Sequence, residues 1–451
     1  MTDAPQPVKK VLVANRGEIA LRIIRACRDA GIASVAVYSE ADRESLPVLV
    51  ADEAVCIGPP PAPDSYLNVS RILSAAEIAE CDALHPGYGF LAESPEFVEA
   101  TGSCGLNFIG PSAETIRLLG DKIRARQIAA EAGVPVIPGS EGEVRDAKEA
   151  AKLCKELGYP VLVKAAAGGG GKGMRVVHRE RDMESGFRMC QAEAKASFGD
   201  ARVYLEKYIT NAHHVEIQIL ADRYGTIVHL GERDCSAQRR HQKLLEESPS
   251  PIVDPALREK LGAWAIAASR AANYVNAGTV EFVVDGDGNC YFMEMNARLQ
   301  VEHPVTEEVT GIDIVRTQLR IASGEKLELS PEDCRPSGHS IEARIYAEDP
   351  DADFEPSPGL ITDVRVPGGP GIRVESYLIP GYRVPAHYDP LVAKIISHGC
   401  DREEAIARLD RALAETEIGG IATTVTFHRR LLKSGRFLRG KLTTSMLDEV
   451  G

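Results

Sequence analysis

Short apolar runs alternate with helical periods along the first hundred or so residues. Val11–Ala14 reads as a buried strand, and Glu18–Ala30 carries the apolar spacing of a helix that Gly31 ends. Ser34–Tyr38, Asp82–His85 and Leu106–Ile109 read as further strands. Strands separated by helices predict a βαβ layer with a parallel sheet, which places ligands at strand C-terminal ends. The first turn, Asn15-Arg16-Gly17-Glu18, lacks the three glycines of a dinucleotide fingerprint and speaks against a Rossmann dehydrogenase.

A helix is expected over 121–132, followed by a breaker-rich segment from Gly133 to Gly139. Residues 140–210 read as a smaller α/β unit, and 211–320 as strands followed by helices. From Gly324 to Gly338 the chain is polar and proline-rich, as a linker would be. Strands dominate beyond it until a helix near Asp401. There Asp401 and Glu404 have capping-box spacing, and Ile406, Leu409 and Leu413 form an apolar stripe.

Lys164 is followed by three alanines and then Gly168-Gly169-Gly170-Gly171-Lys172-Gly173-Met174. Glycine runs cost backbone entropy, so a folded chain needs a reason to keep one. A Rossmann or Walker loop runs from a strand into a helix, but here Pro160–Lys164 and Met174–His178 are both strand-like. The run is therefore a hairpin tip, and no Ser or Thr follows its lysine. It reads either as a lid whose backbone N–H groups face phosphates, with Lys164 adding a charge, or as an exposed surface hairpin.

A second hairpin is expected from Ala277 to Asn296. Centring its turn on Asp287-Gly288 sets Glu281 directly opposite Glu294, with Cβ atoms about 5 Å apart among apolar neighbours. Like charges in that setting need neutralising. A hard divalent cation would do so, with Asn296 on the same face as a further ligand. The other reading is a hydrated strand pair. Beyond it Glu294, Asn296, Arg298, Gln300 and Glu302 alternate with apolar residues, as on an edge strand in water or on the floor of an active site. The charged stretch from Arg233 to Lys243 is either a solvated run or an anion site.

Composition narrows the classes. With 451 residues, 44% hydrophobic and 26% charged, the chain suits about three globular domains. A net charge of −14 argues against a nonspecific nucleic-acid binder. No apolar run approaches the roughly 20 residues of a membrane span. The first residues lack a long apolar secretory segment, so a cytoplasmic location is expected. The ten cysteines show no C-x-x-C pair and are expected to be buried, reduced packing residues.

Several of these stretches together resemble the ATP-grasp biotin carboxylases: the glycine loop after Lys164, RDCSAQRRHQK, the Glu281/Glu294 pair and EMNARLQVEHPVTE. VLVANRGEIALRIIRA, HPGYGFLAE at 85–93, GDK at 120–122, and IEARIYAEDP with PSPG add to the likeness, which runs over about 9–446. The resemblance implies an α/β fold, α+β in its C-terminal part. Its three domains would be an N-terminal βαβ domain over 1–120, an ATP-grasp domain over 121–325 with a mobile lid at 136–210, and a C-terminal domain over 337–446.

By the same resemblance Lys122, Lys164, Gly168, Gly169, Gly170, Gly171, Lys172, Gly173, Glu206, Lys207, Tyr208, Ile209, His214, Gln238 and His241 look like ATP contacts. Glu281, Glu294 and Asn296 look like ligands for Mg²⁺ or Mn²⁺. Lys243, Arg298, Gln300 and Val301 match bicarbonate-site positions. Glu302 matches the catalytic base, with Arg298 and Lys243 beside it, and Arg344 matches the residue at the biotin ureido group.

In the family reaction the base deprotonates bicarbonate as it attacks the γ-phosphate of ATP. The resulting carboxyphosphate yields CO₂ and phosphate, and the phosphate removes the biotin N1 proton. This chain departs from the family at Lys172, where some members have Arg, and at Ala297, where Thr is common. No Met-Lys pair of a biotin carrier occurs. Biotin is therefore expected on a separate carrier protein, with carboxyltransferase subunits and a homodimer as further partners. A bicarbonate-using ATP-grasp ligase with an amine acceptor is the alternative, from which Arg344 and the third domain would distinguish this chain.

Overall fold

Five parallel strands form the first layer: β1 (Lys10–Val13), β2 (Ala33–Ser39), β3 (Glu53–Gly58), β4 (Ala83–His85) and β5 (Asn107–Phe108). All pairings are parallel, as the alternation of strands and helices predicts, and the order is β3-β2-β1-β4-β5, with β3 an addition to the four expected strands. Val11, Leu12 and Val13 are fully buried, because helices cover both faces of a parallel sheet. The chain leaves β1 through Gly17, whose φ of +68° suits a residue without Cβ, and enters the helix Gly17–Asp29. Buried Arg16 pairs with Asp42 at 2.7 Å and donates to the Tyr382 hydroxyl at 3.1 Å, tying this layer to the C-terminal part.

The computed structural model describes residues 7–168 and 173–446, so Gly169, Gly170, Gly171 and Lys172 lie outside the described residues. The glycine stretch does join two antiparallel strands. β6 (Val161–Ala165) pairs with β7 (Met174–Val177), placing Lys164 opposite Met174, and β8 (Val203–Lys207) lies on the other side of β6. A Cβ on Gly168 would fall 2.3 Å from the Phe198 ring, so glycine is required there by space as well as by its φ of +103°.

The rest is dominated by one eight-stranded antiparallel sheet. It comprises β9 (His213–Ala221), β10 (Ile227–Arg239), β11 (Gln242–Ser248), β12 (Asn276–Val284), β13 (Cys290–Asn296) and β14 (His339–Tyr346). After the two-residue strands β15 (Glu348–Asp349), β16 (Glu355–Pro356) and β17 (Val364–Arg365), β18 (Ile372–Ser376) and β19 (Leu391–Gly399) complete it. The order is β13-β12-β9-β10-β11-β14-β19-β18. The sheet therefore runs unbroken across the proline-rich segment, because β11 hydrogen-bonds to β14.

Each strand alternates. Val215, Ile217, Val280, Phe282, Ile341, Ala343 and Ile395 point to an apolar face, covered by the helices Pro255–Ala271 and Arg402–Glu415. The opposite face carries charge. Asp401 caps its helix by accepting from Glu404 N at 2.8 Å, and Ala405, Leu409, Ala412 and Leu413 form the buried stripe while Ile406 is half-buried.

Four expectations need correction. The turn between β12 and β13 is not the two-residue Asp287-Gly288 turn. Val284 pairs with Cys290, and the chain reverses through Asp285–Asn289 with Gly288 at φ +83°. A bulge between Phe282 and Glu281 then restores the expected pairing of Glu281 with Glu294. The strand does not continue to Glu302: it ends at Asn296, and the helix His303–Thr310 begins after Glu302. The charged stretch is solvated only at its turn: Arg233 to Gln238 are buried in mid-sheet, while Arg240 and His241 are exposed. Cys56, Cys104 and Cys400 are exposed; all ten cysteines are free.

Candidate active site

Strand register assembles the site. Glu281 on β12 lies opposite Glu294 on β13 and, on its other side, opposite Glu216 on β9; Glu216 in turn pairs with Arg233 on β10. Farther along, Glu246 on β11 faces Glu342 on β14, and Arg344 faces Lys394 on β19. A row of carboxylates and cations thus crosses the sheet on the face away from the apolar core. Buried charges persist only where paired.

Lys243 holds the centre. Its Nζ lies 2.7 Å from Glu216 Oε2, 2.7 Å from Glu302 Oε1 and 3.3 Å from Glu281 Oε1. Burial opposes the ammonium, but the Cys235 thiol and the carboxylates of Glu216, Glu281 and Glu302 outweigh it and raise its pKa well above the usual value. Glu302 is the mirror case. Burial favours its neutral form, yet Lys243, Arg344 and Arg233 together hold it well below the usual carboxylate range. Arg344 Nη2 reaches Glu302 Oε2 at 3.0 Å, so the Glu302 carboxylate is gripped at both oxygens. Fully buried Arg233 donates to Glu216 Oε1 at 2.6 Å and supports the floor from beneath.

The expected bicarbonate residues converge although the backbone there is no strand. Arg298 donates to Gln300 Oε1 at 2.8 Å and Asn296 Oδ1 at 3.1 Å, and Gln300 donates to Glu281 Oε1 at 3.1 Å. The Val301 carbonyl is held by Lys394 Nζ at 2.8 Å.

Glu281 and Glu294 fit a hard divalent cation. Burial works against ionisation of both, but Lys243 and His214 hold Glu281 far down, and Lys122 holds Glu294 below the usual range against the charge of Glu281. Two ionised carboxylates therefore face each other, with the Asn296 amide donating to Glu281 Oε1 at 2.9 Å. His214, Glu216 and Glu281 also bring ligand atoms within 4.8 Å of one another, but Lys243 already neutralises that group.

On the nucleotide side, Lys122 pairs with Glu294 at 2.9 Å and Lys164 with Glu206 at 2.9 Å. Lys207 donates to the carbonyls of Gly158 and Tyr159 at 2.9 and 3.2 Å, so its side chain braces the glycine-loop unit. Tyr208 and Ile209 follow β8, with Tyr208 N bonded to the Pro160 carbonyl. Gln238 bonds to His214 Nδ1 at 2.8 Å. His241 is exposed at the β10–β11 turn, at φ +66°. Gly168 and Gly173 frame the loop at φ +103° and +67°.

Sequence reasoning missed Glu216, Arg233, Glu246, Glu342 and Lys394, and gave no role to Glu93, which accepts from Arg298 Nε at 2.9 Å. The available signal was alternation: His214, Glu216 and Gln218 interleave with Val215, Ile217 and Ile219.

Comparison with known proteins agrees with this geometry. Residues 7–116 match the family described as biotin carboxylase, N-terminal domain, and 342–449 the biotin carboxylase C-terminal domain. Residues 121–330 match the ATP-binding domain of the carbamoyl-phosphate synthase L chain. The chain is 53% identical over 442 residues to biotin carboxylase 1 of Bacillus subtilis, covering 98% of each. It is similar to the crystal structure of a biotin carboxylase–β,γ-ATP complex from Campylobacter jejuni, with TM-score 0.96, 48% identity and coverage of 98% and 99%. It also resembles the biotin carboxylase domain dimer of Hydrogenobacter thermophilus 2-oxoglutarate carboxylase, solved with MgADP, ADP and bicarbonate, with TM-score 0.95, 49% identity and 98% coverage of each chain.

Proposed function

The chain belongs to the biotin carboxylase family, ATP-grasp ligases that carboxylate biotin using ATP and bicarbonate, and we propose how its residues divide that work. The observation that carries the reading is Glu302, an ionised carboxylate held between Lys243 at 2.7 Å and Arg344 at 3.0 Å. A base needs a pKa near the working pH, and Glu302 as it stands lies far below. Both cations are also the groups that an incoming anion attracts. As Lys243 turns to bicarbonate and Arg344 to the biotin ureido oxygen, the depression is relieved and burial raises the carboxyl, so substrate binding itself makes Glu302 basic.

Glu302 then takes the bicarbonate proton while the freed oxygen attacks the γ-phosphate of ATP, giving carboxyphosphate and ADP. Arg298, Gln300 and the Val301 backbone orient bicarbonate, and Arg298 is itself fixed by Glu93 and Asn296. Lys122, Lys164, Gly168, Gly173, Glu206, Lys207, Tyr208, Ile209, His214, Gln238 and His241 bind the nucleotide. Gly169, Gly170, Gly171 and Lys172 are assigned to it through the family resemblance. Glu281, Glu294 and Asn296 would hold Mg²⁺ or Mn²⁺, which neutralises charge on the phosphates of ATP. Closure of the glycine-rich unit keeps water from carboxyphosphate. Arg344 stabilises the enolate-like biotin oxygen as CO₂ is captured.

The carboxyl group passes to biotin on a separate carrier protein. Carboxyltransferase subunits, a homodimer and an acetyl-CoA or other acyl-CoA acceptor complete the proposal, with fatty-acid synthesis as its setting in the cytoplasm. Among the described residues no helix is long and apolar enough to cross a membrane. The test is bicarbonate-dependent ATP hydrolysis that free biotin stimulates and ammonia does not. Stimulation by ammonia instead would assign an amine-accepting ligase, and hydrolysis indifferent to bicarbonate would overturn both.

A further inference from the structure

Two carboxylates that the mechanism does not use lie behind Arg344. Glu246 on β11 and Glu342 on β14 are cross-strand partners, both fully buried. Apart from Arg344 beside Glu246, neither carboxylate has a hydrogen-bond donor among the described residues. The Glu246 carboxylate makes an ion pair with Arg344 Nη2 at 2.5 Å, and that same nitrogen donates to Glu302 Oε2 at 3.0 Å. Arg344 Nε is likewise buried without an acceptor. One guanidinium is thus bracketed by two carboxylates, and unused donor and acceptor capacity lies on the Glu246 side.

When Glu302 accepts a proton from bicarbonate it becomes neutral, and its charge-assisted hold on Arg344 weakens at the moment biotin needs that cation in place. We propose that Glu246 is a positioning residue: as the second carboxylate on Arg344, it keeps the guanidinium in the site once Glu302 has been protonated. The inference rests on the assignment of Glu302 as base and Arg344 as the biotin-facing cation.

The surroundings divide the two buried acids. Glu342 is pushed well above the usual range by burial, with Lys394 on β19 opposing only in part and Glu246 adding to the rise. Burial thus favours its neutral form. Glu246 is pushed up by burial to about 7, Arg344 opposing. Glu302 from the N-cap of the helix His303–Thr310, Lys243 from its own strand and Cys235 from β10 also face it, and His303 on that helix is kept neutral by burial. The sign follows: Glu246 is ionised above about 7 and neutral below, so its grip on Arg344 declines as pH falls through that value. In the substrate-free site Glu302, held down by Lys243 and Arg344, does not titrate in this window. A limb that persists in Glu246→Gln therefore belongs to Glu302 and not to Glu246.

The experiment measures carboxybiotin formed per ATP hydrolysed, with free biotin, from about pH 6 to about pH 8. It compares the full-length wild type with Glu246→Gln, Glu246→Asp and Glu342→Gln. The wild-type ratio is expected to fall on the acid side. Glu246→Gln lowers it about tenfold or more and abolishes the acid limb, Glu246→Asp retains a limb, and Glu342→Gln follows the wild type. A wild-type ratio and limb in Glu246→Gln, or loss of the limb in Glu342→Gln, overturns the proposal. Should Glu246→Gln not fold, Glu246→Asp decides: a displaced limb supports the assignment, and an undisplaced one overturns it. Wild-type protein without bicarbonate-dependent hydrolysis would remove the functional reading itself, a result distinguishable from each of these.

Discussion

Lys243 Nζ lies 2.7 Å from Glu302 Oε1, in a place where burial alone would leave a carboxyl protonated. The lysine keeps Glu302 charged, and the carboxylates of Glu302, Glu216 and Glu281 keep the lysine charged. Neither residue can be read alone.

Lys243→Ala removes the first cation from Glu302 and from bicarbonate together. Bicarbonate-dependent ATP turnover is expected to fall about 10²-fold or more, as when a charge-stabilising donor is removed from an active site. The acid limb of the residual rate should move to higher pH, because the largest force holding Glu302 down is gone. Steady-state rates across pH, with a circular-dichroism melt to show that the fold persists, check both. Near-normal turnover would remove Lys243 and Glu302 from the mechanism.

Glu281→Gln leaves Glu294 as the one remaining charge of the opposed pair. The metal concentration for half-maximal activity should rise about tenfold or more, since one anionic ligand to a hard cation is lost. The same substitution takes an anion from Lys243, which retains Glu216 and Glu302. Titrating Mg²⁺ and then Mn²⁺ at saturating ATP separates the two effects: added metal corrects only the first. An unchanged metal requirement would contradict the ligand assignment.

Half of this site was legible in the chain and half was not, for a physical reason. The opposition of Glu281 and Glu294 is local, 13 residues apart by number, and follows from hairpin pairing. The expected turn was displaced, yet the bulge beside Glu281 brought the pair back into register. Bulges leave little mark in a sequence. Glu216 against Glu281, and Glu246 against Glu342, pair strands from distant parts of the chain. Only the order of the eight strands brings them together. The polar alternation from Glu294 to Glu302 was read as strand because converging side chains produce the same pattern in irregular backbone. The N-terminal layer was easier, since its apolar runs and helical periods match local propensity and tertiary structure alike.

Gly168→Ala tests the glycine loop. A Cβ there would lie 2.3–2.5 Å from three Phe198 ring atoms, and the φ of +103° is one that alanine adopts only under strain. Roughly 1–2 kcal/mol of backbone strain, with displacement of Phe198, should distort the loop rather than unfold the protein. KM for ATP is expected to rise about tenfold, and the melting temperature to change little, because the eight-stranded sheet is not involved. A KM equal to that of the wild type would show that the loop's conformation at Gly168 does not bear on nucleotide binding.

His428 supplies the pH dependence that can be read most cleanly. Its Nε2 donates to the Arg344 carbonyl at 2.7 Å, and burial pushes its pKa down to about 4, the hydrogen bond opposing. In the unfolded chain an ordinary histidine protonates near 6.5. Between those values the unfolded state binds the extra proton, so His428 stabilises the fold fully above about 6.5 and loses that contribution as pH falls towards 4. Glu246 and Glu342, whose carboxyls are raised, act with the opposite sign over part of that range and mask the effect in the wild type. The difference between wild type and His428→Gln isolates it. Glutamine keeps a donor for the Arg344 carbonyl but cannot titrate. The variant should therefore be the less stable protein at pH near 7, and the gap should shrink by an amount on the order of 3 kcal/mol on acidification to pH near 4. Urea unfolding of both proteins at stepped pH measures the gap. A gap independent of pH would mean that His428 keeps an ordinary pKa inside the fold, and that the packing around His428 is looser than its burial indicates.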